Sequence, residues 1–105
     1  VIEFFFWEEC PSHERALAIL REQIARHDIE QSELTIIEVV DDEQAERLDF
    51  PGSPTIRIDG VDIQDPGDLP RGLTCRLYRK RDGRPSPLPD VDDLRDALAQ
   101  YSGRP

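Results

Sequence analysis

Cys10 and Cys75 are the two thiols of this chain, and His13 and His27 are its two imidazoles. Thiol redox chemistry or soft-metal binding would be built from these four side chains. A thiolate attacks disulfides and ligates soft metals, whereas the protonated thiol does neither well. Cys10 and His13 sit three residues apart in Cys10-Pro11-Ser12-His13. That spacing leaves three roles open for His13: a base or cationic partner for Cys10, a second soft-metal ligand, or a structural hydrogen-bonding residue. His27 falls at the far end of the same helical stripe, where a cation is favoured, and reads as structural. Cys75 shares an alternating stretch with Leu73 and Leu77 and is open to three readings: a buried structural thiol, a redox partner of Cys10, or a metal ligand. Two cysteines are too few for a secreted disulfide framework. Asp41-Asp42 and Asp92-Asp93 stand at helix starts, where capping accounts for them. No metal-spaced carboxylate set and no phosphate-cradling glycine loop occurs, so no cofactor is expected.

The elements that must position these residues follow from periodicity. Val1–Phe6 is apolar without helical spacing and reads as a buried strand. From Pro11 the apolar positions Ala16, Leu17, Leu20 and Ile24 recur at three- and four-residue steps, which predicts a helix to His27 with Cys10 at its N-cap. There the helix end favours the thiolate, while Glu8, Glu9 and Glu14 oppose it by a comparable amount of up to about 1 kcal/mol each. A modest fall in the Cys10 pKa is expected, with the Cys10 sulfur partly exposed, His13 more buried and alkylation falling first on Cys10. Leu34–Val40 predicts a second buried strand, parallel to the first across the helix. Asp41 with Gln44 resembles a capping box for a short helix ending near Asp49. Ile56–Ile58 and Val61–Ile63 flank Asp59-Gly60, a strong hairpin signal. From Gln64 to Pro89 the chain turns rich in Pro, Gly, Asp and Arg around one alternating stretch, read as loop, edge strand and loop. Asp90 caps a last helix with Val91, Leu94, Leu98 and Tyr101 on one face, and Ser102–Pro105 reads as a frayed end.

The chain has 105 residues, sufficient for one domain with one core. Its net charge of −10 argues against a nucleic-acid or anionic-membrane partner. The apolar residues are too dispersed for a spanning helix or a secretory leader, which leads to the expectation of a soluble, cytoplasmic protein. The oligomeric state is not legible.

The order β-α-β-α-β-β-α, with its motifs in place, resembles the thioredoxin and glutaredoxin framework over about residues 1–63 and 90–101. The segment of about 64–89 is an addition to that framework. Cys10-Pro11-Ser12-His13 resembles a glutaredoxin-type C-P-x-C motif in which histidine replaces the second cysteine. Phe50-Pro51-Gly52-Ser53-Pro54-Thr55 resembles the loop that carries a cis-proline opposite the active cysteine, and Ile56–Ile63 resembles the hairpin that follows it. A closer resemblance is to small bacterial thioredoxin-family proteins bearing C-P-x-H-E, G-S-P-T-I-R-x-D-G and C-R-x-Y-R, here Cys10–Glu14, Gly52–Gly60 and Cys75–Arg79. Some of these carry an alkylmercury-lyase label.

The resemblance implies a thiol–disulfide oxidoreductase acting on a protein or small thiol or disulfide. Cys10 is its nucleophile and His13 tunes it. Cys75 is a candidate resolver, since the missing second cysteine leaves a mixed disulfide with no local escape. Pro11, Ser53, Pro54 and Thr55 line the implied substrate groove, with Ser53–Pro54 cis and the Ser53 backbone pairing a bound peptide by strand addition. Two further readings stand beside it: a soft-metal carrier of Hg, Cu or Zn through Cys10, His13 and Cys75, and a non-catalytic scaffold of the same fold.

Overall fold

The computed structural model describes residues 1–102 and is a mixed α/β structure with a four-stranded mixed sheet and three helices. β1 (Ile2–Phe6) runs through the sheet interior, with β2 (Leu34–Glu38) parallel on one side and β3 (Thr55–Ile58) antiparallel on the other. β4 (Val61–Asp62) completes the order β2-β1-β3-β4. Strand alternation splits the apolar residues of β1 between two layers. Ile2 and Phe4 enter a core formed with helix α1 (His13–Arg26) and helix α3 (Val91–Ser102), through Ala16, Leu20, Ile24, Leu94 and Leu98. Phe5 enters the opposite layer, with Val39, Phe50 and Ala45 of helix α2 (Asp42–Arg47). Complete burial of such side chains stabilises by about 1.5–3 kcal/mol each, so both layers contribute.

Local signals account for most of the boundaries. Asp59 and Gly60 both take positive φ, the requirement of a tight two-residue hairpin turn, and the Ile58–Val61 pair closes it. The Asp41 carboxylate accepts the Gln44 N–H at 2.7 Å, while the Gln44 amide oxygen accepts the Val40 N–H at 3.0 Å. This is a capping box displaced by one residue on its return arm. Asp90 receives the Asp92 N–H at 2.9 Å and starts α3. The expected frayed end at 103–105 lies outside the described residues, and Ser102 is still helical.

Three expectations are corrected. Helix α1 starts at His13 with Ser12 as its N-cap, so Cys10 precedes the helix in a turn closed by its N–H on the Trp7 carbonyl at 3.0 Å. The β2 strand lies at a sheet edge, with Thr35, Ile36 and Glu38 exposed, and is not a buried strand. The added segment contributes no edge strand to the main sheet: it forms an isolated parallel bridge at Cys75 and a separate hairpin of β5 (Tyr78–Arg79) with β6 (Pro85–Ser86).

Within that segment the inward face holds Arg76 and Tyr78, while Cys75 and Leu77 are exposed. Polar pairing decides this phase. Arg76, only 2% exposed, donates to both Asp62 carboxylate oxygens at 2.8 and 3.0 Å and to the Gln64 carbonyl at 2.6 Å. Its guanidinium also lies over the Tyr78 ring at 4.2 Å, and the Tyr78 hydroxyl donates to the Pro54 carbonyl at 2.6 Å. With Leu77 inward instead, Asp62 would lose its bidentate partner. Arg76→Ala should lower the unfolding free energy by about 3–5 kcal/mol in urea titration, the range for breaking a buried ion pair by removing one partner. A loss below about 1 kcal/mol, the level of a surface pair, would remove Arg76 as the anchor of this segment.

Candidate functional site

The site forms where the end of β1, the turn before α1, the loop before β3 and the added segment meet. Phe50–Ile56 is buried without interruption, and a buried backbone must find a partner for each polar group. Here the partner is residues 72–76, a strap laid along the loop in parallel. The Gly72 N–H donates to the Phe50 carbonyl at 3.1 Å, the Ser53 N–H to the Thr74 carbonyl at 2.8 Å, and the Arg76 N–H to the Ser53 carbonyl at 2.8 Å. Gly52 has φ +120°, and a Cβ placed there would meet the Arg76 Cβ at 3.1 Å, so glycine permits the approach. The Ser53–Pro54 peptide is cis.

Ser53 is fully buried and spends all its polar groups on the site. Its hydroxyl oxygen accepts the Trp7 N–H at 3.0 Å, which ties the end of β1 to the loop. Its carbonyl lies 3.4 Å from the Cys10 sulfur, the contact of a thiol donor. Thr55 is buried as well, donating its hydroxyl to the Gly52 carbonyl at 2.7 Å and accepting from Arg76 at 3.2 Å. Pro54 is buried and Pro11 exposed. The backbone edge expected to pair a substrate peptide is thus occupied by the chain's own strap.

Cys10 and Cys75 are free thiols brought to one residue, Ser53: the Cys10 sulfur contacts its carbonyl, Cys75 bridges its backbone, and each thiol shifts the other's pKa. The bridge between Ser53 and Cys75 creates this proximity without any swing of the segment. Cys10 is 0% exposed while Cys75 is open to solvent, so the expected exposure of Cys10 is reversed. The reason is the strap, which covers the turn that the sequence leaves open. Burial pushes the Cys10 thiol up, yet its net pKa is lowered by hydrogen bonds from Ser12, Ser53 and Cys75 that favour the thiolate. The Ser12 hydroxyl, 3.2 Å from the sulfur, makes no capping bond to the helix. Cys75 is raised by burial first, then by its hydrogen bond with Cys10 and the Cys10 charge.

The His13 ring makes no hydrogen bond to either sulfur. It stacks on Phe6, with centroids 4.8 Å apart, and its Nε2 lies 4.0 Å from a Glu8 carboxylate oxygen. The His27 Nδ1–H donates to the Gln23 carbonyl at 2.8 Å, at the end of α1. Among the described residues, no group of three or more His, Cys, Asp or Glu is arranged to hold a metal ion. Sequence reasoning missed Ser12 and Arg76 as parts of the site. Both stand inside motifs it had noticed, C-P-S-H and C-R-x-Y-R, and the lone arginine flanked by Thr74-Cys75 and Leu77 was the available signal.

With its pKa depressed in the folded state, Cys10 makes the unfolded chain bind more protons between the folded and ordinary thiol values. Stability of the reduced protein should therefore rise with pH through that window, and the gain is lost as pH falls through the folded value. The raised Cys75 acts oppositely: above the ordinary thiol value, stability should fall as pH rises. Ser12→Ala should raise the Cys10 pKa, followed by ultraviolet thiolate absorbance of the reduced Cys75→Ser background; an unchanged titration would remove Ser12 as the thiolate donor. Compared with family models, curated proteins and solved structures, the chain matches none.

Proposed function

We propose that this chain is a thioredoxin-like thiol–disulfide oxidoreductase whose exchanging sulfurs are Cys10 and Cys75. The observation that carries the reading is their juxtaposition at Ser53: a buried sulfur with a lowered pKa on its carbonyl, beside an exposed cysteine bridged to its backbone. The topology supports it, with the parallel β1–β2 pair joined through α1 and the antiparallel β3–β4 hairpin following the cis Ser53–Pro54 bond. A dithiol so placed reduces an external disulfide RSSR to two RSH and becomes the Cys10–Cys75 disulfide, both electrons coming from the protein sulfurs. Run in reverse, two RSH restore the dithiol. Cys10 is the sulfur equipped to hold negative charge, and Cys75 is the internal partner that a C-P-S-H motif lacks.

A soft-metal carrier is the second reading, favoured by the same proximity, since two thiolates suit a two-coordinate soft ion. The three-ligand version with His13 has less support, because that ring is turned to Phe6 and Glu8.

Glutathione disulfide added to the reduced protein should convert it to a monomer lacking two hydrogens in intact mass, with both thiols lost and Cys10 linked to Cys75 in non-reducing peptide maps. Persistence of both thiols under excess disulfide, alongside stoichiometric uptake of Cu(I), would favour the carrier.

A further inference from the structure

Resting on this thiol–disulfide reading, we infer that Cys75, not Cys10, is the sulfur that exchanges with outside partners, and that these are low-molecular-weight thiols and disulfides. Two geometric facts lead there. Cys10 has no exposed surface, whereas Cys75 is exposed on the strap. The strap also fills the pairing edge of Ser53, using both its N–H and its carbonyl. An extended peptide could reach that edge only by displacing the strap together with the buried Arg76–Asp62 pair, at the cost of leaving two buried charges apart. A small partner faces no such obstacle. Beside Cys75 opens a cleft of about 320 Å³ lined by Pro51, Leu69, Leu73 and Leu77 with Asp42 and Thr74 among its polar residues, room enough for a small thiol.

The chemistry of the two sulfurs agrees with this direction of attack. In the oxidised protein a thiolate RS⁻ attacks the Cys75 sulfur, the Cys10–Cys75 bond breaks, and Cys10 departs as a thiolate. A thiol of lower pKa leaves faster, and Cys10 is the lowered one of the pair. Ser12 and Ser53 receive that charge where it forms. A second RS⁻ attacks the RS–S–Cys75 mixed disulfide, forming RSSR and a Cys75 thiolate that takes up a proton. Two thiols supply the two electrons that reduce one protein disulfide. Microscopic reversibility places the mixed disulfide of the oxidising direction on Cys75 as well.

The test uses glutathione disulfide with the reduced Cys10→Ser and Cys75→Ser proteins, followed by intact mass over time. Cys10→Ser should acquire one glutathione at least about tenfold faster than Cys75→Ser, because it keeps the accessible sulfur and loses the Cys10 contributions that raise its pKa. An equal or faster rate for Cys75→Ser overturns the assignment. Should either variant misfold, limiting iodoacetamide on the reduced parent decides: label on Cys75 supports the inference and label on Cys10 overturns it. Oxidation of the parent by a disulfide-linked unstructured peptide should be slower than by glutathione disulfide, and an equal rate overturns the substrate class. The parent's final state tests the underlying reading separately. A parent that stops at a glutathione adduct on Cys75 supports the exchange site while removing the internal disulfide.

Discussion

Ser53 has no route to water, and four hydrogen-bonding contacts converge on it. A buried peptide group left unpaired costs about 1–3 kcal/mol, so its N–H and carbonyl must each find a partner. The main sheet supplies neither. Both come from the strap at Thr74 and Arg76, which makes docking of the strap a condition of burying the loop. Cys75 lies between those two residues, and its position against Cys10 follows from that pairing. The placement of Cys75 beside Cys10 is thus a by-product of satisfying one buried backbone unit, with Arg76 fixing the register from one side and the Gly72–Phe50 bond from the other.

Anchoring by a buried ion pair is a costly solution. Removing two charges from water is offset only when geometry is good, and Arg76 meets that condition on most of its fork through Asp62, Gln64 and Thr55. Its Nε has no partner, and the Tyr78 ring beneath the guanidinium supplies a further contact. A hydrophobic residue in its place would pack, but it would not select this register. Strap position and sulfur position are therefore coupled, and a change at Arg76 is felt at Cys10.

Much of the framework is legible from the chain because its signals are local. The helical spacing of Ala16, Leu20 and Ile24, the Asp41–Gln44 cap and the Asp59-Gly60 turn each act within a few residues, and each is found close to its predicted place. The site is legible only in its parts. Cys10, Ser53 and Cys75 are identifiable by type and motif, yet the exposure of both sulfurs inverts what periodicity suggests. The inversion has one cause: the phase of residues 73–78 is set by Asp62 and Pro54, partners distant in sequence, and not by the apolar Leu73 and Leu77. The start of α1 at His13 differs from its predicted place for a related reason. Pro11 suits a first helical turn, but the Cys10 turn is held by Trp7 and Ser53, which no window around Pro11 contains.

Amide hydrogen exchange of the reduced protein at Ser53 and Arg76 tests the docked strap most directly, because those two N–H groups are the bonds that fix it. Protection comparable with the β1 amides of Phe4 and Phe5 is expected, since both sites are buried and paired. Exchange at Ser53 and Arg76 as fast as at the exposed Asp65 and Asp68 would show the strap undocked, and would contradict the placement of Cys75 against Cys10.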